Sequence, residues 1–101
     1  GTLQPVGRLV VDDGAQSALG RGKSLLPAGV KQVTGNFSRG DTVSVVNLEG
    51  QEIARGLVAY DYSDAARIAG LKSADIEKAI GFRGRDEIIH RDDLVMTNGE
   101  R

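Results

Sequence analysis

Apolar and polar positions change rhythm at short intervals along this chain, and most of the changes are marked by glycine. Leu9 to Val11 is a brief β-rich run. Asp12 or Asp13 then caps a helix, because a short carboxylate accepts the free N–H groups of a first turn and suits the positive helix end. Ala15, Ala18 and Leu19 fall at i, i+3, i+4 as one apolar stripe, and Gly20 and Gly22 stop the helix. Pro27, Ala28 and Gly29 turn the chain into a strand over Val30 to Val33. Thr42 to Val46 alternates and is β-branched apart from Ser44, which predicts a strand. Asn47-Leu48-Glu49-Gly50 reads as a hairpin turn with positive φ at Gly50. Glu52 to Asp61 returns as a longer strand, with Ile53, Leu57 and Ala59 on one face and Ala54, Val58 and Tyr60 on the other. Gly56 in its middle predicts a bulge or a barrel bend.

Two short helices follow. Ser63 or Asp64 is the expected cap of the first, whose stripe is Ala65, Ile68 and Ala69 and which Gly70 ends. Ser73 is the expected cap of the second, with Asp75 in its first turn, Ile76, Ala79 and Ile80 as its stripe, and Gly81 just past its end. Ile88 and Ile89, then Leu94 to Met96, read as closing strands, and Thr97 to Arg101 as a polar tail that frays. Short strands with glycine punctuation and small helices predict a mainly β, barrel-like domain decorated by helices.

Length and composition narrow the function. The chain's 101 residues suffice for one core, and 40% apolar with 27% charged residues suits a folded chain. Fourteen glycines are spread along it rather than gathered in a linker, as many tight turns require. There is no cysteine and one histidine, His90, so disulfides and thiolate metal sites are excluded and a zinc or iron centre is not expected. No apolar run reaches the roughly 20 residues of a membrane span, and no signal peptide is visible; the expected location is cytoplasmic, with no membrane partner. The opening GTLQPVG reads as the interior of a longer protein. Gly1 to Gly40 carries five basic and two acidic residues, and Asp41 to Arg101 eight basic and twelve acidic, so the halves stand at +3 and −4. Nucleic-acid binders usually show a basic face; here only a small one is available.

Four strings imitate functional motifs. Gly22-Lys23-Ser24 looks like the end of a phosphate-binding P-loop, but Ser17 stands where the first glycine belongs, and a helix enters the loop where a strand should. His90-Arg91-Asp92 looks like a kinase catalytic loop, but the magnesium-binding Asn position holds Thr97. Arg39-Gly40-Asp41 is a cell-adhesion tripeptide on paper and an ordinary turn as chemistry. Arg21, Lys23, Lys31 and Arg39 could together contact phosphates, yet the aromatics available for stacking are only Phe37, Tyr60, Tyr62 and Phe82. No nucleophile–base set or paired carboxylates remain, so no catalytic, cofactor or metal residue is proposed within the chain.

A set of longer strings is more specific. VDDGA (Val11 to Ala15), KSLLPAGV (Lys23 to Val30), VTGNFSRGD (Val33 to Asp41), NLEG (Asn47 to Gly50), IARG (Ile53 to Gly56), RIAG (Arg67 to Gly70) and HRDD (His90 to Asp93) occur in this order. Together they closely resemble the C-terminal PUA domain of the bacterial glutamate 5-kinases (γ-glutamyl kinases). The resemblance implies a PUA-like pseudo-barrel of five or six strands over residues 7–96, a linker over 1–6 from an N-terminal amino-acid kinase domain, and a frayed tail over 97–101. It implies a parent that phosphorylates L-glutamate with ATP and magnesium at the start of proline biosynthesis, with catalysis, ATP, glutamate and proline feedback all served by that N-terminal domain. The kinase domain of the same chain, and a homo-oligomer of the parent, are the implied partners. PUA domains of RNA-modifying enzymes bind RNA near the first helix and the loop after it. The matching segment here, Gly20 to Gly29, holds Arg21, Lys23 and Ser24, so a candidate RNA or partner surface comprises these three with Lys31 and Arg39. The expected role is a regulatory or structural appendage; an RNA-binding module is the alternative, and an independent enzyme is nearly excluded by the incomplete motifs.

Overall fold

A computed structural model of the protein describes residues 4–97. Five strands, β1 (Gly7–Val11), β2 (Val30–Gly35), β3 (Thr42–Val46), β4 (Glu52–Leu57) and β5 (Leu94–Met96), form one sheet in the order β2-β1-β3-β4-β5. The central pair β1–β3 is parallel and the other pairs are antiparallel. A helix, α1 (Asp13–Gly20), sits between β1 and β2, and α2 (Tyr62–Ile68) and α3 (Ser73–Ile80) sit between β4 and β5.

The register divides the sheet into two faces. Leu9 lies opposite Val45, Val45 opposite Ala54 and Val43 opposite Gly56, and all five are buried. Leu19 of α1, Ala65 and Ile68 of α2 and Ile76 of α3 complete this core with Leu25, Ile88 and Ile89. Each buried valine, leucine or isoleucine side chain contributes about 1.5–3 kcal/mol. The opposite face carries the row Arg8, Ser44, Arg55 and Val95. The sheet curls toward closure through Ile88–Ile89. Leu25 donates its N–H to Ile89 (2.9 Å) and accepts from Ile88 (2.8 Å), while Ile88 also accepts from Ala59 (2.8 Å).

Several local expectations need correction. The bulge of β4 lies at Ile53, not Gly56: the register steps from Val45 opposite Ala54 to Val46 opposite Glu52, which leaves Ile53 as the extra residue. That step lets the consecutive residues Ile53 and Ala54 both be buried. Gly56 is instead a site of close approach to Ile89 and Asp93. β4 ends at Leu57, because its partner β3 begins at Thr42 and the chain before it is turning. Val58 to Asp61 therefore pair with the turn and with Ile88, through Val58 N–H to the Asp41 carbonyl and Ala59 N–H to that of Ile88. Neither Ser63 nor Asp64 caps α2; Asp61 occupies that position, and its carboxylate accepts from the Arg39 N–H instead. Ser73 is the first residue of α3, behind Lys72. Ile89 makes only an isolated bridge with Leu25, so β5 is the one closing strand after α3 among the described residues. Thr97, assigned to the fraying tail, donates its N–H to Ile53 and its hydroxyl to Glu52, both at 3.0 Å; the rest of that tail lies outside the described residues.

Candidate functional site

The Gly20–Gly29 loop is built from a helix end. Asp12 accepts the Ala15 N–H (2.8 Å) and starts α1. At the far end Gly22 adopts φ +81, while its N–H reaches the Leu19 carbonyl and the Lys23 N–H reaches that of Ala18. This pair of bonds is a Schellman motif, with glycine at the left-handed position. The amides that would cradle phosphate in a P-loop are thus consumed by the last carbonyls of α1. Arg21 and Lys23 stand at the negative end of the helix, where cations complement the dipole without any ligand. Ser24 is also engaged, its hydroxyl accepting the Arg91 N–H at 2.8 Å.

The five candidate residues do not line one cavity. Lys23 and Ser24 line a shallow cavity of about 420 Å³ with Leu25, Leu26 and the α1 residues Ala15 and Ala18, a wall more apolar than charged. Arg21 bonds to Ser17 on its own helix (2.8 Å). Lys31 is the extra residue of a bulge between Val10 and Val11 of β1 and their partners Gln32 and Val30, and it is exposed. Arg39 lines a different cleft, of about 480 Å³, with Tyr60, Asp61, Asp64, Phe82, Arg83, Gly84 and Arg85.

His90 begins a 3₁₀ turn over Arg91–Asp93, and its Nδ1 accepts the Asp92 N–H at 3.0 Å. The same nitrogen lies 3.6 Å from the Asp92 carboxylate. A ring nitrogen that accepts the amide carries no proton for the carboxylate, so the two contacts are alternatives. Glu52 collects Ser44 Oγ (2.7 Å), Arg55 Nε (2.9 Å) and Thr97 Oγ1 (3.0 Å). Burial pushes its pKa up, but these hydrogen bonds and the Arg55 charge outweigh that and hold it below the ordinary glutamate value. Among the described residues no group of three or more His, Cys, Asp or Glu is placed to hold a metal ion, and no helix is long and apolar enough to cross a membrane.

A family model described as the PUA domain matches residues 7–80. The chain belongs to the PUA domain family. This PUA domain is 64% identical over 98 residues to glutamate 5-kinase 1 of Mesorhizobium japonicum, covering 97% of the chain and 26% of that protein. It is 66% identical over 97 residues to glutamate 5-kinase of Rhizobium etli, covering 96% of the chain and 25% of that protein. The chain thus spans about a quarter of the length of these curated relatives and matches their C-terminal region. Among solved structures, a PUA domain from Aeropyrum pernix K1, in complex with tartrate, superposes with a TM-score of 0.63 at 26% identity, over 85% of this chain and 41% of that one.

Sequence reasoning named Phe82 only among the aromatics available for stacking and gave no role to Arg83 and Arg85, which join it in the larger cleft. The available signal was two arginines flanking one glycine beside an aromatic residue, just beyond a helix-ending Gly81.

Proposed function

We propose that this PUA domain is the accessory part of a cytoplasmic glutamate 5-kinase, acting through contact with the rest of the enzyme and supplying no reacting group. The observation that carries this reading is an identity of 64–66% across nearly the whole chain to only the C-terminal quarter of glutamate 5-kinases. The hydrogen-bond pattern supports it, because an amide, a hydroxyl and a ring nitrogen of the motif-like strings are taken up by the fold itself. The Lys23 amide caps α1, Ser24 holds Arg91, and His90 holds Asp92. Binding and turnover of ATP, magnesium and glutamate belong, in this reading, to the remaining three quarters of the parent. The RNA-binding alternative has less support at Gly20–Gly29, where Lys23 is the one cation lining the cavity and the wall is largely apolar.

The test compares a full-length glutamate 5-kinase carrying this domain with a truncation ending before it. Activity should persist in the truncation, with an altered dependence on proline or magnesium, since an appendage biases states without performing the chemistry. The isolated domain should form no γ-glutamyl phosphate above a buffer blank. Phosphotransfer by the isolated domain, or complete loss of activity in a truncation shown to be folded, would overturn the proposal.

A further inference from the structure

The cleft lined by Arg39, Phe82, Arg83 and Arg85 has features that neither the fold nor the accessory role uses. Gly81 ends α3 in the left-handed conformation (φ +84), and Phe82 follows it with 48% of its surface exposed, outside the core. The segment is then anchored. Buried Tyr60 donates its hydroxyl to the Arg85 carbonyl, and a side chain at Gly84 would run into the Tyr60 ring. Arg83 and Arg85 therefore flank a fixed point, and Arg39 lines the same cavity from the turn before β3.

The three guanidiniums are uncommitted among the described residues. Among the described residues the Arg or Lys side chain in an ion pair within 4.0 Å is Arg55, with Glu52, so none of the three pairs directly with Asp61 or Asp64, although those carboxylates line the same cleft. No guanidinium hydrogen bond of Arg39, Arg83 or Arg85 occurs among those residues either. The cleft thus offers an aromatic face, three planar cationic donors and two carboxylate acceptors. Arginine suits phosphate because its planar fork donates two hydrogen bonds at once. An exposed aromatic face stacks on a base, and the carboxylates accept from hydroxyl groups. The lining carries one net positive charge, which fits a phosphomonoester better than a polyphosphate.

We propose that this cleft binds a nucleoside monophosphate unit, with the base on Phe82, the phosphate on the arginines and the ribose hydroxyls toward Asp61 and Asp64. The unit is either a free nucleotide or one residue of a single strand, two sources with the same chemistry. The volume of about 480 Å³ falls within the roughly 300–1,000 Å³ of ligand pockets.

The experiment is an NMR titration of the 101-residue chain, labelled with nitrogen-15, against AMP, adenosine, inorganic phosphate and a short oligoadenylate. AMP should shift the amides of Phe82, Arg83, Gly84 and Arg85, and adenosine or phosphate alone should bind more weakly. Phe82→Ala should weaken AMP about ten-fold or more, the loss of one stacking contact. The Arg83→Glu, Arg85→Glu double variant should abolish binding with its dispersed spectrum intact, because both side chains are exposed. Oligoadenylate binding more tightly than AMP at the same residues identifies a strand as the source, and equal affinity a free nucleotide. The proposal is overturned by no shifts at millimolar AMP, by shifts confined to Gly20–Gly29, or by phosphate binding as tightly as AMP and indifferent to Phe82→Ala.

Discussion

Gly56→Ala is the most direct probe of how β4 and the closing segment fit together. A Cβ at this position would lie 2.7 Å from Ile89 Cγ2 and 2.8 Å from the Asp93 carbonyl oxygen, where ordinary contact begins at 3.4 Å. Each neighbour would have to recede by more than half an ångström. Ile89 has nowhere to go, since it is fully buried and its backbone is bonded to Leu25. Asp93 leads directly into β5, whose Leu94 pairs with Gly56, so β5 would have to slide off β4. Overpacking of this kind costs about 1–3 kcal/mol, offset by about 0.5–1 kcal/mol from alanine's smaller entropy loss on folding. The net expectation is a destabilisation centred on about 1 kcal/mol and reaching about 2.5 kcal/mol for Gly56→Ala, and more for Gly56→Val. In a domain of this size each kcal/mol lowers Tm by about 4–8 °C.

Gly20→Ala is the matched control. Its Cβ would meet nothing within 4 Å, and its φ is not positive. At the end of α1 it should gain about 0.4–1 kcal/mol. Urea denaturation followed by circular dichroism, with thermal scans, measures both variants against the parent. Opposite signs are expected. A Gly56→Ala midpoint at or above the parent's would show that the closing segment yields freely and that the packing argument is wrong.

Two further outcomes are expected. Because the Glu52 pKa is lowered in the fold, the folded state binds fewer protons there, so its stabilisation is full above the ordinary value of 4.5 and fades as pH falls through the lower folded value. The gap in urea midpoint between the parent and Glu52→Gln should therefore be constant near neutrality and shrink in acid; a gap independent of pH would refute the network. Asp12→Ala removes the bond to the Ala15 N–H and should cost about 0.5–2 kcal/mol, read from the same denaturation curves, with no loss if water replaces the cap fully.

The elements most readable in the sequence were those whose signals are local. Asp12 caps α1, Gly22 ends it, the Asn47–Gly50 turn joins β3 to β4, and Gly81 terminates α3, each through bonds within a few residues. The misreadings came from long-range geometry. Whether β4 stops at Leu57 depends on where β3 begins, and a bulge at Ile53 cannot be told from one at Gly56 without the partner strand. The candidate residues fail to line one cavity for the same reason. Arg21, Lys23 and Ser24 are near neighbours in sequence, but Arg39 lies in another cleft beside Phe82, Arg83 and Arg85, which are more than forty residues away along the chain.

The strings that imitate active-site motifs share one physical origin. Gly22-Lys23-Ser24 closes a helix, His90-Arg91-Asp92 opens a 3₁₀ turn, and Arg39-Gly40-Asp41 is a turn in which Asp41 accepts the Ser38 N–H and donates its own N–H to the Ser38 carbonyl. Glycine, serine, aspartate and histidine serve there to satisfy backbone groups that strands and helices leave unpaired. The same residue types serve ligands in enzymes because a ligand's phosphate or hydroxyl makes the same demands. What separates the two uses is whether the donor or acceptor is already engaged. In this PUA domain the glycine-loop amides, the Ser24 hydroxyl, the His90 ring nitrogen and the Asp41 carboxylate are engaged, while the guanidiniums of Arg39, Arg83 and Arg85, which line one cleft, have no hydrogen-bond or ion-pair partner among the described residues. Ligand chemistry is therefore to be sought at that cleft, where Arg39 is the one residue drawn from the motif-like strings.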